Sequence, residues 1–178
     1  NNKFYDSEGL ELILEVNNNL LTIKDQQNNR LIFENNKIIK SVSNINETKK
    51  FDYDSFGRLK IIYDTNYPNM KLLFEYDNKT NLLNYIKYKN GINVVKKIHY
   101  EYNENNNLIK VSDDIEKHMF IYAKNYLTNV VSLKDKSTFL FDYNINGQIE
   151  SIKQGFVTLE SVKKEKNNYY LNDNSYVD

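Results

Sequence analysis

Apolar residues along this chain come in pairs two positions apart, each followed by a polar turn and a second short apolar run. Phe51 and Tyr53 set the frame: Asp54 to Arg58 is polar, and Leu59 and Ile62 follow. A spacing of two puts both aromatics on one face of a strand. Gly57 supplies the positive φ that a tight turn needs, and Leu59 opens the return strand. The frame recurs at Tyr100/Tyr102 with Leu108 and Val111, and at Phe141/Tyr143 with Gly147, Ile149 and Ile152. It recurs at Phe74/Tyr76 with Leu83 and Ile86 after one inserted residue. Looser copies are Leu12/Leu14 with Leu20 and Ile23, and Leu31/Phe33 with Ile39 and Val42. Phe120/Tyr122 begins another, whose second half from Leu127 is slipped by about a residue.

The second residue of each pair marks the repeat: Leu14, Phe33, Tyr53, Tyr76, Tyr102, Tyr122 and Tyr143, at intervals of 19, 20, 23, 26, 20 and 21. About 20 residues are enough for two strands and two turns. Hairpins in series make an antiparallel meander in which each marker lies near the next, a ladder of cross-strand contacts. One repeat cannot bury its apolar face, and several stacked ones can. The expected fold is therefore all-β, a curved or spiral open sheet or partial shell of about 12–16 strands. Residues 1–162 form the array, and 163–178 form a last strand pair or cap. No stretch sustains a helical period beyond about two turns. The best is 114–127, where a brief helix is the competing expectation.

Composition changes the picture in three ways. Tyrosine is abundant (15), glycine scarce (5), and asparagine numbers 30. Asparagine tolerates left-handed backbone better than other non-glycine residues. It can therefore replace glycine in turns, as expected for Asn18, Asn81 and Asn106, with Lys37 filling the equivalent spot in the second repeat. Lys+Arg and Asp+Glu are equal at 24 each. No net field favours nucleic acid, and the chain shows no basic stripe in sequence. There is no cysteine, so disulfides and thiolate metal sites are excluded. No window is long and apolar enough for a membrane span. The first residues, Asn-Asn-Lys-Phe, do not read as a signal peptide, so the chain is expected to be an excised or mature piece.

The sequence offers little catalytic chemistry. Asp52, Asp54, Asp64, Asp77, Glu101, Asp113 and Asp142 fall at repeat positions and form no recognisable carboxylate pair. There is no serine elbow and no glycine-rich phosphate loop. Asp142-x-Asn144-x-Asn146-Gly147 matches the opening of a calcium loop, but Lys153 stands where the bidentate glutamate belongs. His99 and His118 lack metal-ligand spacing. No enzyme activity, metal or cofactor is expected. The off-phase tyrosines Tyr63, Tyr67, Tyr85 and Tyr88 remain as candidates for a ligand-facing surface, able to stack on sugars or a protein. The alternative for them is a second packed layer. Tyr126, Tyr169 and Tyr170 belong to the same off-phase set.

Phe51-Asp52-Tyr53-Asp54-Ser55-Phe56-Gly57-Arg58-Leu59 resembles the YD repeat of bacterial Rhs proteins. Relatives of that family include wall-associated proteins, toxin-complex cocoon subunits and animal teneurins. Phe141 to Ile149 fits the same frame, Asn29-Arg30-Leu31 is similar to the stretch that opens a repeat, and Tyr76 to Leu83 looks like the longer variant. The resemblance covers roughly 10–155. It implies an exported scaffold, extracellular or at the bacterial cell surface, with seven repeats too few to close a shell. The self-cleaving core segment of long members is not visible here. The leading expectation is a non-catalytic structural, encapsulating or display module. The alternative is a module that binds a glycan or protein partner through exposed tyrosines. Partners would be other parts of a longer polypeptide or such a ligand, with no nucleic acid.

Overall fold

The computed structural model describes residues 2–6, 9 and 11–156, and the backbone of 162–165 and 168–171. All of its regular elements are strands. They are β1 (Asn2–Tyr5), β2 (Ile13–Asn17), β3 (Leu20–Lys24), β4 (Arg30–Glu34), β5 (Lys37–Val42), β6 (Thr48–Tyr53), β7 (Leu59–Asp64), β8 (Met70–Tyr76) and β9 (Leu83–Asn90). There follow β10 (Asn93–Tyr102), β11 (Leu108–Ser112), β12 (Lys117–Ala123), β13 (Tyr126–Ser132), β14 (Ser137–Tyr143), β15 (Ile149–Phe156), β16 (Val162–Glu165) and β17 (Asn168–Leu171). From β1 to β15 each strand is hydrogen-bonded to the next in chain order, and β16 pairs β17 separately. This is the antiparallel meander that hairpins in series produce.

Residues 114–127 contain no helix. They form β12 and the start of β13. Met119 and Ile121 alternate with Phe120 and Tyr122, so both faces of β12 are apolar. An apolar run on both faces carries no period that separates strand from helix.

The chain divides into two compact units: residues 1–75 with 87–95, and residues 76–86 with 96–178. The first unit holds one buried apolar residue among those described, Val42. Its marker positions Leu14, Phe33, Phe51 and Tyr53 are half-buried. The second unit buries Ile109, Met119, Ile121 and Val131, and Val131 is 0% exposed. Register puts Met119 opposite Val131, and Ile121 opposite Asn129. Thr138, also buried, stands opposite Val131. These side chains share one face of the sheet, and β17 lies against β12. The 163–178 segment falls mostly outside the described residues.

The repeat has a recurring local geometry. Five hairpins or connections carry one five-residue loop: 25–29, 43–47, 54–58, 103–107 and 144–148. In each, the first residue donates its N–H to the fifth carbonyl, and the fourth donates to the first carbonyl. The first residue (Asp25, Ser43, Asp54, Asn103 or Asn144) also accepts the fifth N–H on its side-chain oxygen. Short oxygen-bearing side chains hydrogen-bond the following backbone in this way. The fourth residue has positive φ in every copy: Asn28, Asn46, Gly57, Asn106 and Gly147. Asp77–Leu82 is the same loop with one residue added, and Asn81 holds the positive φ. Asn18 also has positive φ, at the β2–β3 turn. Lys37 does not fill that role in the second repeat. Asn35 and Asn36 have the positive φ values, at the hairpin tip, and Lys37 is already in β5. Two consecutive left-handed residues make the tight turn that matches strand twist.

A bulge accompanies five of the repeats. Opposite the marker, the return strand holds one extra residue: Ile39 at Phe33, Lys60 at Tyr53, Ile109 at Tyr102, Thr128 at Tyr122 and Glu150 at Tyr143. This accounts for the slip in the Phe120/Tyr122 repeat. Its turn is short, and the bulge at Thr128 restores the frame.

Candidate functional site

The marker tyrosines hold repeats together through their hydroxyls. Tyr53 Oη donates to the Ile38 carbonyl at 2.7 Å, and Tyr143 Oη to the Leu127 carbonyl at 2.8 Å. Ile38 stands opposite Phe33, and Leu127 opposite Tyr122. Each tyrosine thus reaches the carbonyl paired with the preceding marker. Burial raises the pKa of Tyr53, Tyr102 and Tyr122, which keeps these hydroxyls protonated as donors. Off-phase Tyr126 packs on Tyr143 with ring centroids 5.0 Å apart. Phe74, Tyr76, Leu83, Tyr100, Tyr102, Leu108, Phe120, Tyr122, Phe141 and Tyr143 are likewise half-buried. Ile149 is mostly exposed.

The four candidate ligand-facing tyrosines occupy three different settings. Tyr85 is flanked by protein: the His99 imidazole stacks on it at 4.6 Å, and Lys97 Nζ lies 3.7 Å from its centroid. His99 in turn lies 3.5 Å from Glu101, which is paired with Lys110. Burial lowers the His99 pKa, and Lys110 and Lys97 lower it further against the pull of Glu101. Tyr63 and Tyr88 line a shallow depression of about 310 Å³ with Phe51, Ile62, Met70 and Leu72. Lys49 and Asp64, which stand opposite one another, form its polar rim. Tyr67, in the β7–β8 connection, is largely exposed. Tyr169 and Tyr170 have side chains outside the described set.

The carboxylates that invite a catalytic reading serve turns and ion pairs. Asp54 accepts the N–H groups of Phe56 and Arg58 and pairs with the Arg58 guanidinium at 2.7 Å. Burial pushes its pKa up, and those donors outweigh it and hold it below the ordinary carboxylate range. Asp77 is lowered by the Thr80 N–H and hydroxyl and the Lys79 N–H. Asp113 lies well below the ordinary range because of Lys96 and the N–H groups of Glu116 and Ile115. Asp135 falls to about 2 through Ser132 and Ser137. Each is held as the anion by fixed donors, the opposite of a group poised to exchange protons near neutrality.

The calcium-like loop is filled in the same way. Asn144 turns its side-chain oxygen onto the N–H groups of Asn146 and Gln148. Asp142 accepts from Ser151 at 2.6 Å and from Lys153 at 2.9 Å. Lys153, in the place of the missing glutamate, thus supplies the positive charge itself. Among the described residues no three His, Asp or Glu side chains converge as a metal would require.

No family model matches the chain, and no curated protein sequence does. Solved structures do. One is the Tc holotoxin pore of Photorhabdus luminescens carrying the TccC3-D651A mutation. It matches at a TM-score of 0.55 and 14% identity, over 94% of this chain and 9% of that one. Another is the TcdB2-TccC3-Cdc42 complex, at a TM-score of 0.41 and 13% identity, over 85% of this chain and 10% of that one. The chain spans about a tenth of the length of these toxin chains. At such identity the first likeness is one of fold: the meander of short hairpins has a counterpart inside a Tc toxin.

Proposed function

We infer that this chain is a non-catalytic structural module of an exported bacterial YD-repeat protein, part of a wall that encloses or displays other polypeptide. The observation that carries the reading is the repeated loop, with its positive-φ residue and bulge, in phase along the chain. Asp25, Ser43, Asp54, Asn103 and Asn144 are spent on that loop. The sequence resemblance at Phe51–Leu59 and the fold shared with a Tc toxin support the same reading. An extracellular location belongs to this proposal. The test has two arms. The chain should show no turnover on glycoside, ester and peptide substrates, and trypsin should spare residues 50–150. Turnover abolished by a single carboxylate substitution would overturn the proposal.

A second reading is favoured by one observation, the apolar depression holding Phe51, Ile62, Leu72 and Tyr88. An aromatic floor with a polar rim suits a glycan or an apolar side chain. Binding on a glycan or peptide array that disappears in Tyr88→Ala, with the circular dichroism spectrum unchanged, would support it. Unchanged binding would remove it.

A further inference from the structure

Register in the first unit assembles cations that the chain keeps far apart. Cross-strand partners share a face, as do residues two apart on one strand. Lys40 of β5 stands opposite Lys50 of β6, Lys50 opposite Tyr63 of β7, and Tyr63 opposite Lys71 of β8. These four make a row across neighbouring strands, stepping about 5 Å each time. Lys24 and Arg30 stand opposite one another on the same face, because Arg30 is two residues from Ile32 and Ile32 pairs Lys40. Among the described residues, Lys24, Arg30, Lys40, Lys50 and Lys71 make no ion pair. Lys71 Nζ lies instead 5.7 Å from the centroid of Tyr63. The acids on this face are Glu15, Glu34, Asp52 and Glu75, of which Glu15 is taken by Lys3 and Glu75 by Lys87.

Like charges directly opposite each other destabilise a sheet. Lys24 with Arg30, and Lys40 with Lys50, are two such pairs on one face. The row is therefore no stabilising device. Beside it runs a second row, in which Asp52 stands opposite Ile61 and Ile61 opposite Leu73. It is displaced by two residues along each strand, about 7 Å. An extended peptide repeats its same-side residues at that distance. One side chain can then reach the lysines while the next same-side one reaches Ile61 and Leu73.

We propose that this face of the first unit binds an extended segment of a partner polypeptide, lying along the strands, in which an acidic side chain is followed two residues later by an apolar one on the same side. The charge of the lysine row and the spacing of the apolar row both select that pattern. A uniform polyanion would use the lysines and leave Ile61 and Leu73 idle. The inference stands on register alone and does not rest on the scaffold reading. The lysines escape a reading of the chain because 40, 50 and 71 are scattered there; only pairing aligns them.

The test is fluorescence anisotropy on the full chain with a short labelled peptide of Glu-Thr-Leu-Thr repeats. Its Gln-for-Glu counterpart, an all-Glu peptide, a sulfated oligosaccharide and an oligothymidylate serve as comparators. The Glu-Thr-Leu-Thr peptide should bind, and weaken with added salt. Affinity should fall about tenfold or more in Lys40→Gln/Lys50→Gln/Lys71→Gln, and similarly with the Gln peptide. That variant should melt no lower than the parent, since repulsion has been removed. Lys117→Gln, in the second unit, should leave binding unchanged. No binding, equal loss in Lys117→Gln, an unaffected triple variant, or tighter binding by any uniform polyanion would each overturn the proposal.

Discussion

The two units are built from the same repeat, yet they bury it differently. In the first, Leu31 is 41% exposed and Leu72 37%, and among its described apolar residues Val42 alone is buried. In the second, Ile109, Met119, Ile121 and Val131 are buried. Loops, bulges and tyrosine anchors occur in both. The repeat therefore sets strand pairing and register, and does not by itself make a core. A single sheet layer leaves its faces half open to water. In the second unit β17 lies against β12, the strand that carries buried Met119 and Ile121.

The largest expected effect breaks the comparison at its strongest point. Val131→Asp places an unpaired charge at a fully buried position and should cost about 4 kcal/mol or more. Urea denaturation followed by circular dichroism measures it. Val131→Ala should cost about 2 kcal/mol, and Leu31→Ala in the first unit less than about 1 kcal/mol. Equal values would show that the second unit's burial contributes nothing extra.

Turn glycines come next. A Cβ on Gly147 would lie 2.5 Å from Tyr126 Oη, and one on Gly57 would lie 2.5 Å from Lys37 Nζ. Both have positive φ. Gly147→Ala should cost about 2 kcal/mol, since a ring must move as well as the backbone strain. Gly57→Ala should cost about 1 kcal/mol, because Lys37 is a flexible chain end. Gly91→Ala, with open space around it, should cost least of the three, and thermal melts rank them.

Removing one hydroxyl probes the anchors. Tyr53→Phe and Tyr143→Phe should each lose about 1 kcal/mol, with the Ile38 and Leu127 carbonyls left without that donor. Similar losses in both units would confirm that the anchor belongs to the repeat and not to the core.

Acid distinguishes the units more gently. Asp25 and Asp54 in the first, and Asp77, Asp113, Asp135 and Asp142 in the second, all have folded pKa values below the ordinary 3.8. Depressed carboxylates contribute stability in full above the unfolded value and lose it as pH falls through the folded one. Urea midpoints should therefore hold steady above about pH 4 and decline toward pH 2. Amide exchange should show the second unit weakening more, because the largest displacements, at Asp113 and Asp135, lie there.

Much of this architecture was legible in the residues. Spacing by two, with Asn or Gly in the turns, gave strands, hairpins and the inserted residue of the Asp77–Leu82 loop. Three features were not legible. The loops at 25–29 and 43–47 carry Asn in place of Gly and join repeats, so their identity with 54–58 emerges only from their hydrogen bonds. The bulges leave no residue signature: Ile39, Lys60, Ile109, Thr128 and Glu150 share no chemistry. The lysine row is a product of pairing between strands. Among the tyrosines, periodicity separates Tyr53 from Tyr63, but it cannot show that Tyr85 is already stacked on His99.

The bulge opposite Phe33, Tyr53, Tyr102, Tyr122 and Tyr143 has a consequence for how such a chain tolerates change. A one-residue slip in a plain ladder turns every later side chain to the wrong face. The Tyr53, Tyr102 and Tyr143 hairpins each carry their own pairing reference, a loop hydrogen-bonded to its first residue and an extra residue opposite the marker. A length error is thus absorbed within the hairpin where it arises. The added residue before Leu83 and the uneven intervals of 23 and 26 are errors of that kind, already absorbed. Such an array can gain and lose residues at its loops, and diverge far in sequence, while its aromatic face stays in phase.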